Sequence, residues 1–258
     1  MRKLLLIVLL TGLFVSESIA KVQVGVGISA GPNLGRWKNQ YFSSKFASAG
    51  GTLNYQFGVH AGIQARVWFN KYVGLNLAGE FNMGGNTFTR YTGQGNSVFL
   101  KQVHKDNQVT VPLTAMVGWG NERLRVFGNV GGYFGYILSS TDKLTETVSG
   151  SEAVVAGGPY NYNKIDAGVR MGAGLQIYVG KSLSSSVTFD VNYDLGVIKT
   201  FKDGTPDYFK DPQNVKLTNS KLMVGVGYIY SFGKKQSEEK PKRITDVEEP
   251  AKTKAKAK

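Results

Sequence analysis

Apolar and polar residues alternate with a period of two along much of the chain. The clearest case lies at residues 53–69, where apolar side chains occupy every second position: Leu53, Tyr55, Phe57, Val59, Ala61, Ile63, Ala65, Val67 and Phe69. Successive side chains of a β-strand point to opposite sides, so this spacing predicts a strand with one apolar face. A helix would need a period of about 3.6 residues, which the segment does not have.

Seven further segments repeat the pattern, so the sequence predicts eight strands. Their apolar positions run from Val22 to Ala30, Val73 to Met83, Val109 to Trp119, Leu124 to Leu138, Ile165 to Val179, Val187 to Val197 and Leu222 to Phe232. The connections after the second, fourth and sixth strands are short, and the others are long. This layout is typical of outer-membrane barrels, whose short turns are periplasmic. We therefore predict an all-β fold, an eight-stranded antiparallel up-and-down transmembrane β-barrel with both termini in the periplasm.

The same strands could form a soluble lipocalin-type barrel with its apolar face inward. The polar face argues against this, because it consists mainly of Gly, Asn, Gln, Thr and Asp instead of the Lys and Glu of a water-exposed face. Small polar residues suit the narrow interior of an eight-stranded barrel. Aromatic residues at the strand ends suit the girdles at a membrane surface, and those expected at the periplasmic rim are Phe69, Tyr72, Trp119, Tyr178, Tyr230 and Phe232.

The two ends of the chain predict export and a separate tail. Arg2 and Lys3, the apolar stretch 4–15 and the small residues up to Ala20 predict a signal peptide at 1–20. The barrel is then expected at 21–232. Residues 233–258 are rich in Lys, Glu and Pro and predict a basic disordered periplasmic tail, which would act as a tether to an acidic partner or as a solubilising segment. The chain has no Cys, which excludes disulfides and a lipid-accepting Cys.

The net charge of +13 favours anionic partners such as lipopolysaccharide phosphates, and export argues against nucleic acid. In the first long loop, basic and aromatic residues predict a binding surface for lipopolysaccharide or a protein: Arg36, Trp37, Lys38, Tyr41, Lys45 and Phe46. A solvated, variable loop is the alternative interpretation.

Charged residues on the polar face predict an interior network. The short turn near residues 182–183 places Arg170 almost opposite Asp194. Five more residues share the inward face: Asp166, Asp190, Arg66, Glu80 and His60. An unpaired charge in a confined interior costs several kcal/mol, so we expect a plug of salt bridges and hydrogen bonds. A proton or ion path is the alternative, although eight strands leave little open lumen.

The histidines give little support for catalysis or metal binding. His60 and His104 are far apart in sequence, and neither has a recognisable nucleophile motif beside it. Without Cys, a zinc site is not expected either. We therefore predict that the protein is not an enzyme, and an outer-membrane hydrolase is the weakest of the functional classes considered.

Three segments carry a family resemblance. Val111-Pro112-Leu113, the glycine-rich stretch Gly128 to Leu138, and Gly225 to Tyr228 closing at Phe232 resemble the PorT-like outer-membrane barrels of Bacteroidota. The resemblance covers 21–232 and implies insertion by the barrel-assembly machinery, contact with outer-membrane lipid, no cofactor, and an accessory or binding role linked to proteins of type IX secretion or gliding. The alternative is a structural or adhesive surface barrel that binds lipopolysaccharide or host ligands through its long loops.

Overall fold

The structure, a computed structural model, describes residues 22–38, 51–92, 98–148, 151–155, 162–200 and 218–232. The predicted signal peptide, the predicted tail, and the loop residues Tyr41, Lys45 and Phe46 lie outside these ranges. The described residues include no helix of the length and apolar character needed to cross a membrane.

The described residues form nine antiparallel strands. Their bounds are β1 Gln23–Lys38, β2 Gly51–Trp68, β3 Val73–Thr92, β4 Val98–Gly120, β5 Leu124–Val148, β6 Ser151–Val155, β7 Ile165–Val179, β8 Ser185–Gly196 and β9 Thr218–Phe232. Eight of them close into a ring in the order β1-β2-β3-β4-β5-β7-β8-β9, and β9 returns to pair with β1. The predicted eight-stranded barrel is confirmed. The added strand β6 stands outside the ring and pairs with the last residues of β5.

The exposure of side chains shows which face of the sheet looks outward. On β2, Phe57 and Ile63 are 64% and 69% exposed, whereas Gln64 and Arg66 are 6% and 4% exposed. The same alternation runs around the ring, so a band of apolar residues covers the outside and polar residues fill the inside. An apolar outer surface of this extent is stable when lipid covers it.

One predicted girdle residue does not belong to the outer face. Tyr178 is 3% exposed and points into the barrel, while its exposed neighbour Val179 faces outward. The prediction was wrong because it followed the aromatic character of Tyr178 and ignored its even position in the two-residue period.

Three tight turns lie at the same end of the barrel as the start of β1 and the end of β9. In two of them an Asn side chain accepts backbone hydrogen bonds: Asn70 from Tyr72 and Val73 at 2.8 and 2.7 Å, and Asn121 from Arg123 and Leu124, both at 2.9 Å. Such side-chain bonds stabilise short turns between strands. The third turn contains Gly180 with a φ of 79°, a conformation that glycine adopts at little cost.

At the opposite end, several strands continue far beyond the apolar band. β4 begins at Val98 instead of the predicted Val109, and β5 ends at Val148 instead of Leu138. We call the parts of β3, β4 and β5 beyond Met83, Val109 and Leu138, together with β6, the wall. β7 and β8 have no such extension within the described ranges, so the described part of the wall rises on one side of the barrel.

The strand extensions correct the assignment of three residues to the first long loop and lengthen β4 to include His104. Arg36, Trp37 and Lys38 belong to β1, and His104 belongs to β4. Beyond the apolar band both faces of a strand carry polar residues, so the hydrophobic alternation that predicts strands disappears even though the backbone ladder continues.

Glycines allow a close approach where β1 meets β9, which we call the seam. A Cβ atom at Gly27 would overlap the backbone oxygen of Tyr228, and one at Gly31 would overlap that of Val224. Any side chain at these positions would push the two strands apart.

Candidate functional site

Arg170 forms the centre of the barrel interior. Its guanidinium group donates hydrogen bonds of 2.6 and 2.8 Å to the carboxylate of Asp194 and of 2.7 and 2.8 Å to that of Glu80. The register of β7 and β8 sets Arg170 directly opposite Asp194, whereas Glu80 reaches it from β3. Bidentate pairs between arginine and carboxylates are among the strongest polar contacts in proteins. One side chain thus joins three strands through the middle of the barrel.

Arg66 holds a second ion pair, closer to the tight turns. It donates to Asp190 on β8 at 3.0 and 3.2 Å and to Gln64 at 3.1 Å. Its guanidinium carbon also lies 4.7 Å from the centre of the Phe127 ring. The charge of Arg66 is therefore balanced by one carboxylate and one aromatic face, both inside the barrel.

The interior nearest the tight turns is aromatic. Arg125 lies 4.2 Å from the centre of the Trp68 ring and donates to the hydroxyl of Tyr178 at 3.2 Å. Tyr178 in turn donates to Gln23 at 3.3 Å. Trp68 packs with Met116 and Phe127 in a small buried apolar cluster. These side chains close the barrel at this end.

Asp166 and His60 are not hydrogen-bonded to Arg170, although His60 lies within electrostatic reach of Glu80, Arg170 and Asp194. Asp166 accepts hydrogen bonds from Gln108 at 3.2 Å and from Asn219 and Tyr133 at 3.4 Å each. His60 is buried, and its Nδ1 atom has no hydrogen-bond partner among the described residues. The seven predicted interior residues are all buried, but they form three groups and a separate histidine rather than one network.

Sequence reasoning missed several interior residues. Lys221 is buried, donates to Gln108, and lies 4.0 Å from the carboxylate of Asp106. Lys221 and Arg125 share the inward parity of their strands, so the two-residue period could have identified both. Gln108 and Asp106 precede the predicted start of their strand and gave no comparable signal.

A small cavity lies between the hydrogen-bonded cluster around Arg170 and the ion pair of Arg66 with Asp190. Its volume is about 30 Å³, and its polar lining includes His60, Asn76, Thr114 and Asn129. Several polar atoms on the lining residues have no partner among the described residues, including Arg66 Nη1 and Asn76 Oδ1. Polar groups around a space of this size are suited to hold one or two water molecules.

A cluster of rings closes the interior at the wall end. Trp37 and His104 are each 2% exposed, and their ring centres lie 5.1 Å apart. Tyr162 lies 4.5 Å from His104 and donates to Asp142 at 2.9 Å, while His104 Nδ1 lies 3.1 Å from the same carboxylate. Trp37 therefore points inward, whereas Arg36 and Lys38 face outward. The three described residues of the predicted loop surface are therefore divided between the two faces of β1, and the other three lie outside the described residues.

A closed ring with an apolar outer band and a polar filled interior matches a known family. The profile of the outer membrane protein beta-barrel domain family matches residues 17–202. The chain belongs to this family. It is an integral outer-membrane β-barrel protein whose strands cross the membrane, and the prediction is confirmed at that level.

Solved structures of other outer-membrane barrels are similar to this chain. The attachment invasion locus protein Ail of Yersinia pestis is 16% identical, with 80% of this chain and 98% of Ail covered and a TM-score of 0.34. OprG of Pseudomonas aeruginosa is 12% identical, with 83% and 96% covered and a TM-score of 0.43. Neisserial surface protein A is 11% identical, with 80% and 97% covered and a TM-score of 0.39. The comparison with curated protein sequences gives no match.

The part of the chain that the structure describes contains no cluster of His, Asp and Glu side chains that could hold a metal ion. The His104–Asp142 pair is the arrangement nearest to acid–base chemistry, but His104 is packed between Trp37 and Tyr162. A general base must reach the proton that it abstracts, and the rings around His104 separate it from solvent. The arrangement of these residues therefore suits closure of the barrel better than catalysis.

Proposed function

We propose that the protein is a non-enzymatic, non-conducting outer-membrane barrel that acts as an accessory or binding component through its surface. The pairing of Arg170 with both Glu80 and Asp194 is the observation that carries this proposal. Side chains from opposite sides of the barrel meet there and form hydrogen bonds with one another, so the centre of the lumen is occupied. A barrel whose interior serves its own stability leaves binding to its turns, loops and wall.

The proposed orientation places the tight turns and both ends of the barrel in the periplasm and the wall outside the cell. The three short turns lie together at one end, and the extended strands lie at the other. Outer-membrane barrels have short periplasmic turns and longer extracellular segments.

Two partner classes follow from this orientation. The resemblance to the PorT-like barrels supports an accessory role beside secretion or gliding proteins, with contacts at the periplasmic end. The wall supports the alternative, a structural or adhesive barrel, because β6 offers a short strand outside the ring with Val154 66% exposed. Proteins crosslinked at the short turns would favour the first role, and ligands crosslinked at the wall would favour the second.

Conductance measurements test the occluded interior. In planar lipid bilayers, we expect neither the wild-type protein nor the Arg170→Ala variant to form a large stable channel. In the variant, Trp37, His104 and the ion pair of Arg66 with Asp190 still fill the lumen. The same substitution should lower the free energy of unfolding by about 3 to 5 kcal/mol, since it leaves two buried carboxylates without their partner.

Val130→Ala is the matched control, because Val130 faces lipid and is 56% exposed. It should change neither conductance nor the interior ion pairs. A large stable conductance in the wild-type protein would contradict the proposal.

A further inference from the structure

Cations surround the outer surface of the barrel at the wall end. Arg36 is half-buried on β1, and the other five are exposed: Lys38 on β1, Lys105 on β4, Lys143 on β5, Lys164 before β7 and Lys199 after β8. We call these six residues the cationic collar. They belong to segments spread around the circumference and not to a single patch.

The collar lies just beyond the apolar band. Leu34 is the last outward apolar residue of β1, and Arg36 and Lys38 follow it. Lys105 precedes Val109 by four residues, and Lys164 directly precedes Ile165. At about 3.3 Å per residue along a tilted strand, these positions are within roughly 15 Å of the band edge. The headgroup layer extends about 5 to 8 Å beyond each hydrocarbon surface, so Arg36 and Lys164 lie within it, and the long side chains of the other lysines can reach back to it.

The charges of the collar are not neutralised by carboxylates of the described residues. None of the six takes part in an ion pair there. The acidic residues of the same strands turn inward instead, as Asp106, Asp166 and Asp194 show by their burial. Among described residues at this end, Glu152 on β6 is the exposed carboxylate, and Asp142 and Glu146 on β5 are half-buried.

An aromatic side chain supports the position of the collar at a membrane surface. The guanidinium carbon of Arg36 lies 4.8 Å from the centre of the Tyr55 ring, and Tyr55 is 53% exposed on the outer face. Tyrosine favours the boundary between hydrocarbon and headgroups. Arg36 is thus held where its charge faces the headgroup layer.

We propose that the cationic collar binds the phosphate groups of the phosphorylated glycolipid that forms the outer leaflet. The proposal rests on the orientation given under Proposed function. A small free anion would need donors that converge on one point, whereas the collar distributes single charges around the barrel. Lipids that surround the barrel on all sides match this distribution, and each lysine near an anionic surface strengthens the association.

Lipid A binding to the full mature protein tests the proposal. The protein is reconstituted in phosphatidylcholine vesicles with bisphosphorylated lipid A, and bound lipid A is quantified at increasing concentrations. We expect Lys38→Gln, Lys105→Gln and Lys143→Gln together to lower the affinity at least tenfold. The matched control is Arg123→Gln with Lys181→Gln, which removes exposed cations at the tight-turn end and should leave affinity within about twofold.

Three further arms separate the possible sources of the anion. Dephosphorylated lipid A should bind the wild-type protein as weakly as bisphosphorylated lipid A binds the triple variant. Inorganic phosphate should not compete at millimolar concentration, and phosphatidylglycerol should bind more weakly than lipid A. Equal binding by the triple variant and the wild type, equal binding of dephosphorylated lipid A, or equal binding of phosphatidylglycerol would overturn the proposal.

Folding of each variant is checked by the shift in gel mobility between unheated and boiled samples. If the triple variant does not fold, the lipid arms with the wild-type protein still decide the proposal. If the cationic collar does not bind lipid A, the prediction that the barrel does not conduct is unaffected. A conducting wild-type barrel would reject the proposed function without changing the lipid measurements.

Discussion

Gly31 occupies a position where the backbones of β1 and β9 leave no room for a side chain. A methyl group there would overlap the backbone oxygen of Val224, while one at Gly128 would meet its first neighbour, the Gly172 oxygen, at 3.8 Å. We therefore expect Gly31→Ala to lower the free energy of unfolding by about 1 to 3 kcal/mol, the usual cost of overpacking.

Gly128→Ala is the control for this substitution and should change the free energy of unfolding by less than about 0.5 kcal/mol. Urea titration of both variants in lipid vesicles, followed by tryptophan fluorescence, measures the difference. Equal effects of the two substitutions would show that the seam can open by the width of a methyl group.

At the residue scale, the partners of a charge were predictable only where a short turn fixes them. Arg170 and Asp194 flank a tight turn, so the sequence placed them opposite each other, as the register of β7 and β8 does. Glu80 lies 90 residues from Arg170 in sequence and reaches it through the lumen. No local pattern predicts such a contact, because it depends on side-chain conformations inside the closed ring.

The strands differ in their importance for closing the barrel, because some are paired on both edges within the ring and β6 is not part of the ring. β8 is paired on both sides, with Val191 between Ala173 of β7 and Val224 of β9, whereas Val154 of β6 pairs with Thr145 outside the ring. Proline lacks the backbone N–H that a ladder requires, so in the middle of a sheet it removes a ladder hydrogen bond and is confined to edge strands, strand starts and bulges. We expect Val191→Pro to prevent folding and Val154→Pro to leave the barrel intact.

Gel mobility before and after boiling distinguishes the two variants, because a folded barrel keeps its compact mobility until heated. A barrel lost through Val154→Pro would mean that β6 takes part in closing the ring. A folded Val191→Pro protein would mean that β8 tolerates a broken ladder.

At the scale of elements, the strand bounds predicted from the sequence are correct where one face of the strand contacts lipid. β7 begins and ends at the predicted Ile165 and Val179, because both residues lie in the apolar band. β4 was predicted eleven residues short at Val109, since its first part, including Lys101 and Lys105, stands beyond the band. Lipid imposes the hydrophobic alternation, and a strand in water can form its backbone ladder without it.

The orientation of the whole molecule can be measured because the chain has no native cysteine. Glu122 is exposed in a tight turn, and Thr141 is exposed on the wall. In intact cells, we expect a membrane-impermeant maleimide to label Thr141→Cys and to leave Glu122→Cys unlabelled. After the outer membrane is permeabilised, both variants should react.

Labelling of Glu122→Cys in intact cells would reverse the orientation and remove the basis for placing the cationic collar in the outer leaflet. The unsubstituted protein is the control, because it offers no thiol to the reagent.

At the scale of the whole molecule, the sequence predicted the closed ring and its strand number but not its asymmetry. Short and long connections alternate regularly, which suggests a barrel of even height. The wall arises because the first part of β4 and the last part of β5 pair with each other as far as Val98 and Val148. By contrast, β8 already ends at Gly196. Pairing between two polar segments leaves no pattern in either one alone.

The seam has a consequence for how the chain matures. β1 and β9 are the first and last strands along the part of the chain that the structure describes, yet each supplies the other's missing neighbour. Until β9 is paired, a row of unpaired amide and carbonyl groups along β1 must be shielded from the bilayer, because hydrocarbon offers them no partner. A chain without Thr218–Phe232 leaves that row uncovered, so the ring is compatible with hydrocarbon only once β9 is paired.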